Sequence, residues 1–350
     1  MKVIIVGGGF AGLKMARTLG NKKGIEVTLL DRVNYHQFQP LFYQVATSGL
    51  DASNISFPLR KVFHHRKNIT IRLGRLLEIV PQENKIKTDI GDMNYDALVI
   101  ATGADTNFFG NTELKKYAAP MKSTWEALQI RYRLVQNFED ATNIKDPAEL
   151  QKYMTIVLVG GGPTGVELGG AIAEMRKDVL PKDYPELDFT KMKIYLLEGS
   201  PKTLGAMSEK SSKESRFYLE RLGVTVMTGT VVKGFDGNEV TLQDGRTIPA
   251  KIVIWAAGIK GNVPTGIDPS FVVKGNRIKV DRYNKIIGTN NIYAVGDVAY
   301  METPKYPHGH PQLAAVAIQQ GKLLAQNFLQ MLRPEPALKE YEYLDKGTMA

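Results

Sequence analysis

Lys2-Val3-Ile4-Ile5-Val6-Gly7-Gly8-Gly9-Phe10-Ala11-Gly12 opens the chain and decides its fold. The apolar, largely β-branched run before Gly7 reads as a buried parallel strand. The glycines then follow the spacing G-x-G-x-x-G. Gly7 allows the tight turn out of the strand, Gly9 lets a pyrophosphate approach the main chain, and Gly12 lets the next helix pack close to the strand. Leu13 to Leu19 has helical character, and Glu26 to Asp31 reads as a second strand ending in an acid, 19 residues beyond Gly12. A carboxylate there can bond a ribose 2′-hydroxyl, while the helix N-terminus offers unpaired N–H groups to phosphates. The glycines alone are a weak signal. Strand, loop, helix, strand and acid in that order make a dinucleotide-binding unit.

The pattern returns about 150 residues later. Thr155 to Val159 reads as a strand and Gly160-Gly161-Gly162-Pro163-Thr164-Gly165 as the loop. Val166 to Met175 reads as a helix, and Lys193 to Leu197 as a strand closed by Glu198. Glu198 comes 33 residues after Gly165, and Arg176 to Lys191 reads as a surface insertion that lengthens an ordinary spacing. Its charge repels a 2′-phosphate and favours NADH, while Lys202 nearby leaves NADP open. Strands also run into small residues at Ala101-Thr102-Gly103, Ala256-Ala257-Gly258 and Gly296-Asp297. Asp-Gly turns at 236–237 and 244–245 mark a hairpin meander, matched in the first half by Asp89 to Met93. A helix is expected over Gln312 to Leu332, stopped by Arg333-Pro334.

The expected fold is therefore α/β with two Rossmann-like dinucleotide-binding domains. One spans 1–120 and 268–350, split around the second at 121–267. Two dinucleotides suit a resident FAD and an exchanging NADH, because a flavin accepts hydride and passes electrons on. The first loop is assigned FAD, since its domain resumes at Gly296-Asp297.

Composition narrows the chemistry. The chain has 350 residues, 43% hydrophobic and 23% charged, the mix of a folded globular protein of about two domains. It has no cysteine. That excludes a dithiol beside the flavin, cysteine-borne sulfur chemistry and a cysteine-ligated metal or iron–sulfur centre, and no metal site is expected. The net charge of +9 suits a solvated basic surface or an anionic membrane, and no nucleic-acid motif accompanies it. No signal-peptide pattern or apolar run of membrane-spanning length is present, so the default compartment is cytoplasmic. The last residues, Asp345 to Ala350, show no helix stop, as though the chain ended within an element.

One further segment is long and specific: Tyr35-His36-Gln37-Phe38-Gln39-Pro40-Leu41-Phe42-Tyr43-Gln44-Val45-Ala46-Thr47, followed by Ile55-Ser56-Phe57-Pro58-Leu59-Arg60. With the second loop and its Glu167, Ala256-Ala257-Gly258, Val295-Gly296-Asp297 and Ala317-Ile318-Gln319-Gln320, it resembles the type II NADH dehydrogenases. These are single-chain NADH:quinone oxidoreductases of the two-dinucleotide flavoprotein superfamily. The resemblance spans essentially the whole chain. It implies FAD contacts at Gly7, Gly9, Ala11, Gly12, Asp31, Ala101, Thr102, Gly103, Gly296 and Asp297. It implies NADH contacts at Gly160, Gly162, Thr164, Gly165, Glu198, Ala257 and Gly258. Glu167 would stand near the nicotinamide and flavin rings and influence proton supply, or simply pack the loop. Gln319 and Gln320 would line the quinone end of the flavin, or cap polar cavities.

Two departures stand out. Ala315 occupies a position where the family often has glutamine. The family's C-terminal amphipathic helices, which lie on the membrane and shape the quinone site, are not in this sequence, so a truncated chain is expected. The resemblance implies a peripheral enzyme on the cytoplasmic side of the cell membrane, soluble in this shorter form, with a homodimer open to it. The other readings are a soluble NAD(P)H reductase of a ferredoxin-like protein, and an NADH-responsive flavoprotein that signals by changing shape. Smaller expectations are a solvated basic run around His64-His65, core packing for Phe38, Phe42 and Tyr43, and turn roles for His308 and His310.

Overall fold

The computed structural model describes residues 1–347. The reading that the chain ends within an element falls partly on 348–350, outside those residues. The chain forms two compact units: residues 1–37, 56–105 and 259–347, and residues 38–55 and 106–258.

The first unit is built on a five-stranded parallel sheet. Its order is Ile292–Ala294, Ala97–Ile100, Lys2–Val6, Glu26–Asp31, Ile69–Leu73. The alternation in Lys2–Val6 explains its place at the centre. Val3 and Ile5 pack on one face with Met15, Leu19, Leu324 and Phe328 of two helices. Ile4 and Val6 pack on the other with Ile278, Ile286, Val298 and Tyr341. A strand buried on both faces must be apolar at every position inside the sheet. Helix Phe10–Leu19 connects the first two strands, and helix Ala314–Met331 packs on it. The approach is close because a Cβ on Gly321 would stand 2.3 Å from Ala11 O. Strands Leu76–Val80, Lys85–Thr88 and Met93–Asn94 form the antiparallel meander expected around Asp89 to Met93.

The second unit repeats the plan. Its parallel sheet runs Ala119–Pro120, Ile252–Trp255, Thr155–Val159, Lys193–Glu198, Val224–Thr228. Helices Pro163–Asp178, Thr124–Ala141 and Glu209–Arg221 accompany it. An antiparallel meander of Val232–Phe235, Glu239–Leu242 and Thr247–Pro249 follows.

Several boundaries differ from expectation. The units divide at 105/106 and 258/259 rather than at 120/121 and 267/268. Ala119 and Pro120 pair with Ile254 and Trp255, which makes them the edge of the second sheet. Residues 38–55 join the second unit because Phe42, Val45, Ala46 and Ile55 pack into its core with Ile130, Leu134 and Leu168. Both dinucleotide helices start one turn early, at Phe10 and Pro163, because the last loop residues already carry helical main chain. Helix Ala314–Met331 starts two residues late, since Leu313 before it is extended. The stretch Arg176 to Lys191 is only partly a loop: its first residues finish helix Pro163–Asp178, and Leu180–Asp183 forms another helical turn.

Candidate functional site: two dinucleotide cradles

The two glycine loops have the same build. Gly7 has φ +110° and Gly160 φ +113°, a region costly for any residue with a Cβ. A Cβ on Gly7 would stand 2.2 Å from Ala101 O, and one on Gly160 2.7 Å from the Ala256 carbonyl carbon. A Cβ on Gly12 or Gly165 would lie 1.9 Å from the carbonyl oxygen of Gly7 or Gly160. These glycines are fixed by their own unit's main chain. Gly9 and Gly162 are not, since among the described residues nothing lies within 4 Å of a Cβ added at either. They border open space at helix N-termini that no side chain caps. The first-turn N–H groups there have no intrahelical acceptor, and Pro163 removes one of them in the second loop. Open glycine, uncapped N–H groups and dipole form an anion cradle, so the residues fit the pyrophosphates of two dinucleotides.

The acids are equally matched. Asp31 Oδ2 accepts from Gly8 N at 2.5 Å, and Oδ1 accepts from Val33 N at 2.8 Å. Glu198 Oε2 accepts from Gly161 N at 2.5 Å, and Oε1 accepts from Ser200 N at 2.6 Å. Each carboxylate thus ties the loop's second glycine to the residue two beyond itself and keeps lone pairs for sugar hydroxyls. Glu198 holds in its unit the position of Asp31, despite the late spacing. Burial raises the Asp31 carboxyl, against main-chain N–H bonds from Gly8 and Val33. Lys202 is engaged with Glu209 at 3.2 Å.

Beside the first loop lies a cavity of about 380 Å³ bounded by Gly7, Asp31, Arg32, Arg75, Thr102 and Asn262. Thr102 Oγ1 donates to Asn262 O at 2.6 Å, and Asn262 N donates to Gly103 O at 2.9 Å. Arg32, Arg75 and Asn262 were not singled out from the sequence. Only Arg32 carried a signal, since it directly follows the acid. His36 was also missed as part of the loop. It is buried beside Phe10, its Nδ1 lies 2.9 Å from Gly8 O, and burial lowers its pKa. The neutral ring therefore donates to that carbonyl and braces the loop. In the second unit, Gly258 O accepts from Asn107 N at 3.2 Å, and Trp255 Nε1 donates to Asn107 O at 2.9 Å. These bonds fix the Ala257-Gly258 end of its strand.

Glu167 lies on helix Pro163–Asp178, one turn beyond Thr164. It borders a pocket of about 60 Å³ with Gln39, Tyr43, Lys122 and Thr164. Lys122 Nζ donates to Gln39 Oε1 at 3.2 Å. With burial as its cause, the Glu167 carboxyl is pushed up to about 7. An acid poised near neutrality beside space for a water is suited to hold or release a proton. In the same segment Phe42 is core, as expected, whereas Phe38 is 38% exposed.

Gln319 and Gln320, expected to line the quinone end of the flavin or to cap polar cavities, both bond main chain. Gln320 is 1% exposed, and its Oε1 accepts from Gly296 N at 2.7 Å. Gln319 grips the main chain of Leu344, donating to its O at 2.8 Å and accepting from its N at 3.1 Å. The helix amides therefore hold the Gly296-Asp297 turn and the following C-terminal segment. Gln320→Leu should leave Gly296 N–H buried without an acceptor and cost about 1–3 kcal/mol of stability. Chemical denaturation measures it, and an unchanged midpoint would show that the bond is dispensable. His64 and His65 are exposed, as is His308, whereas His310 is buried. Among the described residues, no cluster of His, Asp and Glu could hold a metal ion.

Two such cradles in one chain define a two-dinucleotide oxidoreductase. Residues 1–321 match the family model described as pyridine nucleotide-disulphide oxidoreductase. The whole chain is 33% identical to the type II NADH:quinone oxidoreductase Ndh of Mycobacterium tuberculosis, covering 77% of that protein. It is 28% identical to the type II NADH:quinone oxidoreductase of Haemophilus influenzae, with 99% of this chain and 84% of that one covered. The chain belongs to the pyridine nucleotide-disulphide oxidoreductase family and, within it, to the type II NADH:quinone oxidoreductases. The fold is shared with NDH2 from Plasmodium falciparum in complex with NADH, at TM-score 0.88 and 22% identity over 97% of this chain and 86% of that one. The disulphide chemistry in the family's description has no counterpart in a chain without cysteine.

Proposed function

We propose that this chain is an FAD-dependent enzyme that oxidises NADH and reduces a quinone, without pumping protons. The observation that carries the reading is the full-length match to a type II NADH:quinone oxidoreductase at 33% identity. The balance is NADH + H⁺ + quinone → NAD⁺ + quinol. FAD, when bound, supplies hydride acceptance from a nicotinamide and delivery of the electrons to the quinone.

The chain's own residues bind and orient. Gly9, Ala11 and Gly12 hold the FAD pyrophosphate at the N-terminus of helix Phe10–Leu19, Asp31 takes the ribose hydroxyls, and Ala101 to Gly103 with Gly296-Asp297 complete that site. Gly160, Gly162, Thr164 and Gly165 hold the NADH pyrophosphate, and Ala257-Gly258 borders the nicotinamide end. Glu198 accepts from the adenosine ribose and repels a 2′-phosphate. Glu167 supplies the net proton. Gln320 acts through Gly296, and Gln319 through the segment at Leu344.

A quinone dissolved in lipid requires the enzyme at a membrane surface. We assign it a peripheral position on the cytoplasmic face, favoured by a net charge of +9 near anionic lipid. No helix among the described residues is long and apolar enough to cross a membrane.

Steady-state turnover of the purified FAD-loaded protein with NADH and a short-chain quinone tests the reading. Flavin that is reduced by NADH but not reoxidised by any quinone would overturn it and favour a ferredoxin-like protein as acceptor. Glu198→Gln keeps an oxygen for Gly161 N but removes the charge. The preference for NADH over NADPH in kcat/KM should fall about tenfold, the equivalent of about 1.4 kcal/mol. An unchanged preference would remove Glu198 from nucleotide selection.

A further inference from the structure

Arg277 is a cation in an unlikely place. It sits on strand Arg277–Lys279, beside Ala299–Tyr300, and is only 8% exposed. Nε and Nη2 both donate to Ala299 O, at 2.9 and 2.6 Å, and Nη2 also donates to His310 O at 3.0 Å. The guanidinium lies 5.2 Å from the centre of the Tyr300 ring. Among the described residues it forms no salt bridge. Burying a charge without a carboxylate in contact is expensive, and removing the apolar stem and the fork together would be simpler if only packing were needed. Both carbonyls it grips bear on one structure. Ala299 directly follows the turn Gly296–Val298, and His310 belongs to the segment leading to helix Ala314–Met331, whose Gln320 holds Gly296. The acid whose charge reaches Arg277 is Asp297, in that turn.

We propose that Arg277 is a positioning residue for the flavin reaction: its buried guanidinium locks the Gly296-Asp297 turn and sets a fixed positive charge behind it that raises the midpoint potential of the bound flavin. The inference rests on the assignment of that turn to FAD. The direction follows from Coulomb's law, because reduction adds electron density and a nearby fixed positive charge favours the electron-richer state. Low local dielectric and burial protect this interaction from salt.

The experiment is spectroelectrochemical titration of the FAD-loaded protein and of two variants, with flavin occupancy recorded for each. Arg277→Met keeps much of the stem and removes the charge. It should retain flavin and become harder to reduce by about tenfold in the reduction equilibrium, which is about 30 mV for a two-electron couple. Arg277→Lys keeps the charge while its ammonium holds the proton, and burial lowers a lysine pKa. Its potential should match the parent at low pH and fall below it as pH rises. The groups facing the site are Asp297, Tyr300 and His310. Tyr300 is raised from its ordinary 10.0 and His310 lowered from 6.5, so both stay neutral between pH 7 and 10. If Arg277→Met does not fold, the lysine variant alone decides. An Arg277→Met protein that holds flavin at the parental potential overturns the proposal, as does a flavin-holding Arg277→Lys protein whose potential equals the parent's, or is offset from it by a constant amount, at every pH. Wild-type protein that binds no FAD would instead overturn the functional assignment.

Discussion

Gly162→Val should leave a stable, FAD-loaded protein that NADH no longer reduces, with at least a hundredfold loss in the rate of flavin bleaching at fixed NADH. Gly9→Val should give the converse, a folded protein purified without flavin colour. The argument rests on what surrounds each glycine. Gly9 has φ −68° and Gly162 φ −73°, backbone that a valine adopts without strain. Among the described residues, nothing lies within 4 Å of a Cβ at either position. The added side chain instead fills the space that a pyrophosphate must enter to reach the first-turn N–H groups. The loss is therefore one of binding, not of folding, and each variant's melting temperature should stay within a few degrees of the parent protein in the same flavin state. The neighbouring glycines behave oppositely. Valine at Gly12 or Gly165 drives a Cβ to within 1.9 Å of a main-chain oxygen, so its first effect is on the fold. A Gly162→Val protein that is still reduced by NADH at the parental rate would mean that the second cradle does not hold the nicotinamide dinucleotide.

The contrast also shows where sequence reading reaches and where it stops. The glycine loops, their strands and their acids are local patterns, and main-chain geometry leaves few residues able to occupy them. Even the late Glu198 could be found, because its strand repeats the pattern of the strand ending at Asp31. Residues 38–55 illustrate the limit. Their apolar positions announce burial, but nothing in a linear pattern says that Phe42, Val45 and Ala46 belong to the core formed by 106–258. Gln319 and Gln320 illustrate another limit. Adjacent amides on a helix looked equivalent, yet about 100° of helical rotation sends them to different partners. Gln320 reaches Gly296 and Gln319 reaches Leu344. Arg277 and His36 were invisible as site supports because their roles depend on carbonyls far away in sequence. Arg277 in a short strand looks like an ordinary surface cation until Ala299 and His310 are brought over it.

Glu167→Gln should slow quinone reduction about a hundredfold at pH 6 and flatten its pH profile, while leaving FAD and NADH binding near parental. The loss is the usual size for removing a positioned general acid. The reaction consumes one net proton, and among the groups lining the pocket Glu167 is the acid poised near neutrality. Its cause is burial, which disfavours the carboxylate. With a carboxyl pushed up to about 7, the parent should be protonated and active below that pH and lose rate as pH rises through it. Stability carries the same sign. The folded-state pKa is raised above its ordinary 4.5, so the folded protein binds this proton more tightly than the unfolded chain does. Below 4.5 both states are protonated and the group is neutral in the balance. Between 4.5 and about 7 the parent loses stability as pH rises, and above that range the penalty is complete. Glutamine escapes it, so the variant should gain melting temperature over the parent at pH 8 and none at pH 4.5. A variant that keeps the parental pH profile for turnover while showing the stability difference would leave Glu167 as a buried acid of the loop and remove it from proton supply.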